Sequence, residues 1–223
     1  MSEVSDPIFA KIANRYDRIN RILSLGQERR WRARGISMLA SGNVLDLGCG
    51  TGDTNFEDRT PVGIDPVIEM LQLSPIAATA VAVGEDLPFR EASFDGVFSA
   101  YVFRNLSSVD DTLAEIERVL KPGATVVVID LSRPSNPILR TLHRVGTAIV
   151  LPLVGLLFAA APGEYWYLHK TLDKLAPPEE LFADRSLILE ETWRTGLFGF
   201  VYGVCLRKPP VAQTLDTPEE AAA

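Results

Sequence analysis

The sequence is poor in the residues that build disulfide scaffolds and metal centres. Its 223 residues include two cysteines, Cys49 and Cys205, and two histidines, His143 and His169. Their spacing matches no ligand motif, so no metal is expected, and a reducing, cytoplasmic setting suits the cysteine usage. Basic charge is not in excess either: 22 Lys and Arg stand against 29 Asp and Glu, a net charge of −7 at pH 7. That excludes the ordinary nucleic-acid binder, which needs a basic footprint to release counterions. The opening MSEVSDPIF lacks a basic stretch followed by an apolar one, so no secretory leader is expected. Nor is there an uninterrupted apolar run of about 20 residues, the length that spans a bilayer. Residues 145–161 come nearest, with 17 uncharged positions and Pro152 near their centre. They read as a buried or membrane-facing helix rather than a span.

With 47% hydrophobic and 23% charged residues, the composition is that of an ordinary globular domain. No linker divides the chain, so a single domain is expected over residues 1–207. The ending KPPVAQTLDTPEEAAA has no apolar face, and 208–223 read as a disordered tail. Charge is unevenly spread. Residues 11–34 hold eight basic side chains against Asp17 and Glu28, a block of +6 that leaves −13 for the rest. Such asymmetry points to a surface with its own partner.

Phe9, Ile12, Tyr16, Ile19 and Leu23 recur at helical spacing after Asp6-Pro7, a cap and first-turn proline. A second helix over 27–39 completes an N-terminal helical cap spanning 6–40. Strand-like runs then follow in turn: NVLDLG, PVGID, TAVAV, FDGVFSA and ATVVVIDL, with helical segments between them. One such helix covers 108–120 and is closed by Lys121-Pro122-Gly123. Near-continuous apolar strands alternating with helices mean a parallel sheet covered on both faces, an α/β fold. A helical insertion follows over 136–172, then a short helix opened by Pro177-Pro178. The strands SLILEETWRT and FGFVYGVCLR come last, joined through Gly196-Leu197 as a hairpin that makes the final strand antiparallel. The sheet is thus mostly parallel and seven-stranded.

The first strand runs into DLGCGTGD, where Gly48, Gly50 and Gly52 permit a tight turn that a ligand can approach closely. Asp65 ends the second strand 17 residues after Gly48, where an acid can bind ribose hydroxyls. The same residues also fit a plain turn with a capping aspartate. The spacing G-x-G-x-G, with Asp46 before it and Asp53 after it, suits a cationic ligand better than a pyrophosphate. Nine residues separate Gly52 from Val62, so the first crossover helix has room for about two turns.

DLGCGTGD, together with a reversed final strand, resembles the first motif of the class I S-adenosylmethionine-dependent methyltransferases, a Rossmann-like fold. FAKIANRYDRINRILSLGQERRWR, SAYVFRNLSSVDDTLAEIERVLKPG, DLSRPSNPILR, YWYLHKTLDKLAPPEEL and GVCLRKP resemble the menaquinone and ubiquinone C-methyltransferases of UbiE or MenG type. These pieces cover most of residues 9–209. The resemblance implies S-adenosylmethionine as cofactor, with Asp65 on the ribose and Glu85 or Asp86 near the adenine. It places the turn of Gly48, Gly50, Thr51 and Gly52 around the methionine end, with Asp46, Ser99 and Tyr101 completing the site. It also implies methyl transfer to a ring carbon of a demethylated polyprenyl quinol.

On this reading Arg104 stabilises the ring phenolate, since a guanidinium is no base at ordinary pH, while Asn105 and Tyr16 bond the ring oxygens. His143 and His169 lie near the apolar insertion and read as structural or solvated. Each of Arg104, Asn105 and Tyr16 also has a plain structural role open to it. A methyltransferase of another lipophilic acceptor, or a cofactor-binding scaffold without turnover, fits the same motifs. The partners expected are the quinol, a membrane surface that holds the cytoplasmic protein peripherally, and a second copy in a homodimer.

Overall fold

The computed structural model describes residues 20–134, 136–154, 172–173, 175–183 and 185–210. Residues 20–23 are helical and lead through a turn into α1, Glu28–Ser37. Then come β1 (Asn43–Leu47), β2 (Thr60–Asp65), α2 (Ile68–Leu71), β3 (Ala78–Val81) and β4 (Phe94–Ala100). The remainder is α3 (Val109–Val119), β5 (Leu120–Leu131), α4 (Pro137–Val154), α5 (Pro178–Leu181), β6 (Ile188–Thr195) and β7 (Val201–Arg207). The expected helix over residues 6–23 lies mostly outside the described residues, as do Tyr16, His169 and residues 211–223 of the tail.

The strands form one seven-stranded sheet in the order β3-β2-β1-β4-β5-β7-β6. The five strands from β3 to β5 run parallel, and β7 is antiparallel to both β5 and β6. The α/β expectation and the reversed last strand are thus both found. The order in which strands are added reverses between β1 and β4, the place where an open parallel sheet leaves a crevice at its carboxyl ends. One face of the sheet packs Leu45, Phe103, Ile116, Phe182 and Tyr202 beneath α3. The other packs Trp31 and Ile36 of α1 against Phe98, Val127 and Trp193. Fully burying a side chain of this kind contributes about 1.5–3 kcal/mol.

Three local expectations are revised. No helix forms between β1 and β2; residues 53–59 are turns and irregular backbone. Asn55 Oδ1 accepts the Glu57 amide at 3.1 Å, and Phe56 turns inward to meet Phe98 edge-on at 5.9 Å. The connection spends its residues on anchoring an aromatic in the core instead of on helical turns. Next, Lys121-Pro122-Gly123 does not separate α3 from the following strand. β5 begins at Leu120, and the register jumps between its pairings Phe94↔Leu120 and Gly96↔Thr125. A proline without a donor is tolerated at such an irregularity, and Lys121 pairs with Asp95 at 2.6 Å. Finally, the β6–β7 connection occupies residues 196–200, with a turn of 3-10 helix over Leu197–Gly199, so it is longer than Gly196-Leu197 alone.

Ser108 caps α3, its Oγ accepting the Asp111 amide at 3.1 Å. Helix α4 is fastened through Arg133, which donates to Asp173 from Nε at 3.1 Å and Nη2 at 3.0 Å, and from Nη1 to Thr147 at 2.8 Å. Arg144 reaches the same carboxylate at 2.8 Å. Burial raises the Asp173 pKa, but the hydrogen bonds from Arg133 and Arg144 outweigh it and bring the carboxyl down to about 2.

Candidate active site

The turn after β1 sits at the carboxyl end of the sheet beside the switch point. Gly48, Gly50 and Gly52 all have positive φ, at 69°, 54° and 72°. A Cβ on Gly48 would lie 2.4 Å from Val102 and one on Gly52 2.4 Å from Ser74, whereas one on Gly50 would meet nothing within 4 Å. The outer glycines therefore let the turn pack tightly while the middle one faces open space. Asp65 secures the turn from the end of β2: Oδ2 accepts the Gly50 amide at 3.0 Å and Oδ1 the Val67 amide at 2.9 Å.

Around this turn lies a cavity lined by Asp46, Gly48, Gly50, Thr51, Asp53 and Asp65, and by Arg32, Tyr101 and Asn105. Burial pushes the Asp46 carboxyl up to about 7, against the attraction of Arg32 and with the help of Asp65. Among the described residues Asp46 Oδ2 has no hydrogen-bond partner. Burial likewise raises the Cys49 thiol, which reads as a small packing residue. A buried acid without a donor, beside further carboxylates, fits the cationic part of a ligand.

Tyr101 stands at the border of the site. It follows β4 with φ 66°, a left-handed conformation costly for a residue with a Cβ. Its amide donates to Ile129 O at 2.7 Å, and its carbonyl accepts Arg104 Nη1 at 3.0 Å and Asn105 Nδ2 at 3.4 Å. Beyond Tyr101 a second pocket opens, lined by Asn20, Leu23, Glu28, Trp31, Arg104 and Phe200. The two cavities share Tyr101 as a common wall.

Arg104 is buried and bonded to Asp130 at 2.5 Å from Nη1, with Asp130 itself fully buried at the end of β5. Arg104 is thus not a surface cation. A buried ion pair of this kind fixes the guanidinium, and removing either partner leaves an uncompensated charge. Tyr202, opposite Asp130 in the β5–β7 register, has its hydroxyl buried, and its pKa is raised first by burial and then by Asp130.

Other expected site residues lie elsewhere. Ser99 is wholly buried and donates to Leu47 O at 3.1 Å. Glu85 Oε1 accepts the Ser107 and Ser108 amides at 2.7 and 3.2 Å. Partial burial raises its pKa, yet these backbone bonds carry it below the ordinary value. Asp86 is exposed. None of the three lines the glycine-turn cavity. His143 stacks on Phe200 at 5.4 Å and lines an apolar groove beside α4.

Sequence reading missed Arg32, Glu28 and Asp130. Asp130 carried a signal, being the charged residue that ends an apolar strand. Arg32 and Glu28 carried none, standing among the five charged residues of α1.

Residues 2–190 match the ubiE/COQ5 methyltransferase family. A demethylmenaquinone methyltransferase of Roseiflexus sp. (strain RS-1) is 35% identical over 195 residues, covering 81% of this chain and 82% of the relative. One from Deinococcus radiodurans is 38% identical over 191 residues, covering 78% and 79%. The ubiquinone/menaquinone biosynthesis C-methyltransferase UbiE of Citrifermentans bemidjiense is 35% identical over 195 residues, covering 78% and 82%. Solved structures share the fold at lower identity. A chain of the complex between the Haloferax volcanii Trm112 methyltransferase activator and a methyltransferase superposes with TM-score 0.61 at 20% identity, covering 90% of this chain and 97% of that one. A SAM-dependent methyltransferase from Thermotoga maritima gives 0.58 at 16% identity, covering 91% and 99%. With its glycine turn on one side of Tyr101 and a pinned arginine on the other, the chain matches this family over most of its length and belongs to the ubiE/COQ5 methyltransferases.

Proposed function

We propose that the protein transfers a methyl group from S-adenosylmethionine to a ring carbon of a demethylated polyprenyl quinol. The observation that carries this reading is the shared wall: the acid-lined cavity and the Arg104 pocket meet at Tyr101. A cofactor on one side and a ring on the other are then neighbours. When bound, S-adenosylmethionine supplies an electrophilic methyl on a sulfonium. The residues present fit it, since Asp46 and Asp65 would hold its positive and hydroxyl-bearing parts, and Gly50 leaves the space a ligand needs. Thr51 lines the same cavity. Glu85 or Asp86 would reach the adenine only from beyond the lining of that cavity.

The chain's own task is to make the ring carbon nucleophilic and to hold it in place. A phenolic hydroxyl has a pKa of about 10, and its anion pushes electron density onto the adjacent carbon. Arg104, fixed by Asp130 and the Tyr101 carbonyl, presents preorganised positive charge to that oxygen. Asn105 lines the cofactor cavity beside Tyr101 and would bond a ring oxygen from that side, and Tyr16 shares that role in this proposal. Holding carbon and methyl about 3–3.5 Å apart and in line supplies the rest.

The polyprenyl tail would leave the ring pocket past Leu23, Leu131 and Phe200, which also line an apolar groove of about 470 Å³ along α4. That size is typical of a small-molecule site. No helix among the described residues is long and apolar enough to cross a membrane. Instead α4 exposes Ile138, Leu142, Val145, Ile149 and Leu153, with Leu197 and Phe198 exposed at the β6–β7 turn. This surface and the basic stretch that runs up to Arg34 suit peripheral contact with an anionic bilayer.

The decisive assay incubates the protein with methyl-labelled S-adenosylmethionine and a reduced demethylmenaquinone analogue. Label is expected in the ring with the intact protein, and at least about 100-fold more slowly with Arg104→Ala. No transfer by the intact protein overturns the reading in favour of a binding scaffold. Transfer unaffected by the substitution overturns the role of Arg104.

A further inference from the structure

The missing helix between β1 and β2 has an electrical consequence. A helix starting after the glycine turn would point free backbone N–H groups and a positive dipole end at the cavity, the usual way to hold an anionic group there. Residues 53–59 supply no such terminus. A side chain from α1 stands in the same place. Arg32 lines the cavity next to Asp46, Asp53 and Thr54. Its Nη1 donates to Thr54 Oγ1 at 3.1 Å, and its guanidinium carbon lies 5.7 Å from the centre of the Tyr101 ring. Its Nε is buried without a hydrogen-bond partner among the described residues. Among the described residues Arg32 is the one cation that lines the cavity, together with the carboxylates of Asp46, Asp53 and Asp65.

We propose that Arg32 binds the α-carboxylate of the cofactor's methionine end, replacing the absent helix N-terminus. The inference rests on the reading that this cavity takes S-adenosylmethionine. That ligand carries a carboxylate beside an ammonium and a sulfonium, so a wall made only of acids would repel one of its groups. A guanidinium fork matches a carboxylate in shape and charge, and a buried N–H without an acceptor gains most from such a partner. Asp46, whose Oδ2 has no hydrogen-bond partner among the described residues, lines the same cavity and is left for the ammonium. The competing role for Arg32 is structural: tying the 53–59 connection to α1 through Thr54. The two roles predict different ligand selectivity.

Titration calorimetry separates them, using S-adenosylmethionine and its decarboxylated form, which keeps the adenosine, sulfonium and ammonium. The intact protein is expected to bind the complete cofactor on the order of 10- to 100-fold more tightly. Arg32→Met should bind both ligands as weakly as the intact protein binds the decarboxylated one, and Arg32→Lys should recover part of the difference. Retained binding of the decarboxylated ligand also shows that the variant pocket is folded. Equal weakening of both ligands, or an intact protein that does not discriminate, overturns the assignment. Should Arg32→Met not fold, the discrimination by the intact protein and by Arg32→Lys decides the matter. An intact protein that binds neither ligand overturns the cofactor reading itself, a distinct outcome.

Discussion

Asp46 is a carboxyl held near neutrality by burial, at about 7 against an ordinary 3.8. In the folded protein it therefore keeps its proton to a higher pH than in the unfolded chain. Its contribution to stability is fully present below about pH 4 and is lost as pH rises through 7. Urea denaturation from pH 4.5 to 8 should show the intact protein losing stability relative to Asp46→Asn over that window; parallel curves would contradict the assigned burial. Sequence reading placed Asp46 in the site from its position before the glycines. Its protonation was not legible there, because that depends on a desolvated wall assembled from β1, β2 and α1. Arg104 likewise stood out in FRNL, while the partner that fixes it lies 26 residues away at Asp130.

At the level of elements, the strands were readable because a covered parallel strand is apolar almost throughout, as in ATVVVIDL. The connections were not. The 53–59 segment has the length of a short helix but holds Phe56 in the core, a choice made by packing against Phe98 and not by local propensity. Phe56 thus covers sheet surface that a crossover helix would otherwise cover. Phe56→Ala is expected to cost roughly 3–5 kcal/mol, read as a fall in the urea midpoint. A loss below about 1 kcal/mol would show that the connection is held by its turns instead. The early start of β5 was illegible for a similar reason: Lys121-Pro122-Gly123 has the composition of a stop, yet Lys121 is drawn into the sheet by Asp95.

Over the whole molecule, charge and apolar surface are segregated. The net −7 combines an acidic body with a basic stretch over residues 11–34, and α4 exposes an apolar stripe. If both face one bilayer, flotation with anionic vesicles should recover the protein at low salt. Replacing Leu142, Ile149 and Leu153 by Gln should reduce recovery several-fold, and so should raising ionic strength. Vesicle recovery unchanged by the replacements would assign the stripe to another partner, such as a second copy, which light scattering would report. The order of the sheet carries one more consequence, and it concerns time. β7 is the last described strand to leave the ribosome, yet it lies between β5 and β6. Val127 meets Cys205 across 78 residues of chain, a closure costing about 4 kcal/mol in its length-dependent part. Until then β5 presents a long unpaired edge, a template for aggregation. Asp130 pairs in register with Tyr202, so the strand that gives Arg104 its counter-charge gains its second neighbour only at that point. A nascent chain can form its glycine turn early, but the backing of the ring pocket comes only once Tyr202 has been made.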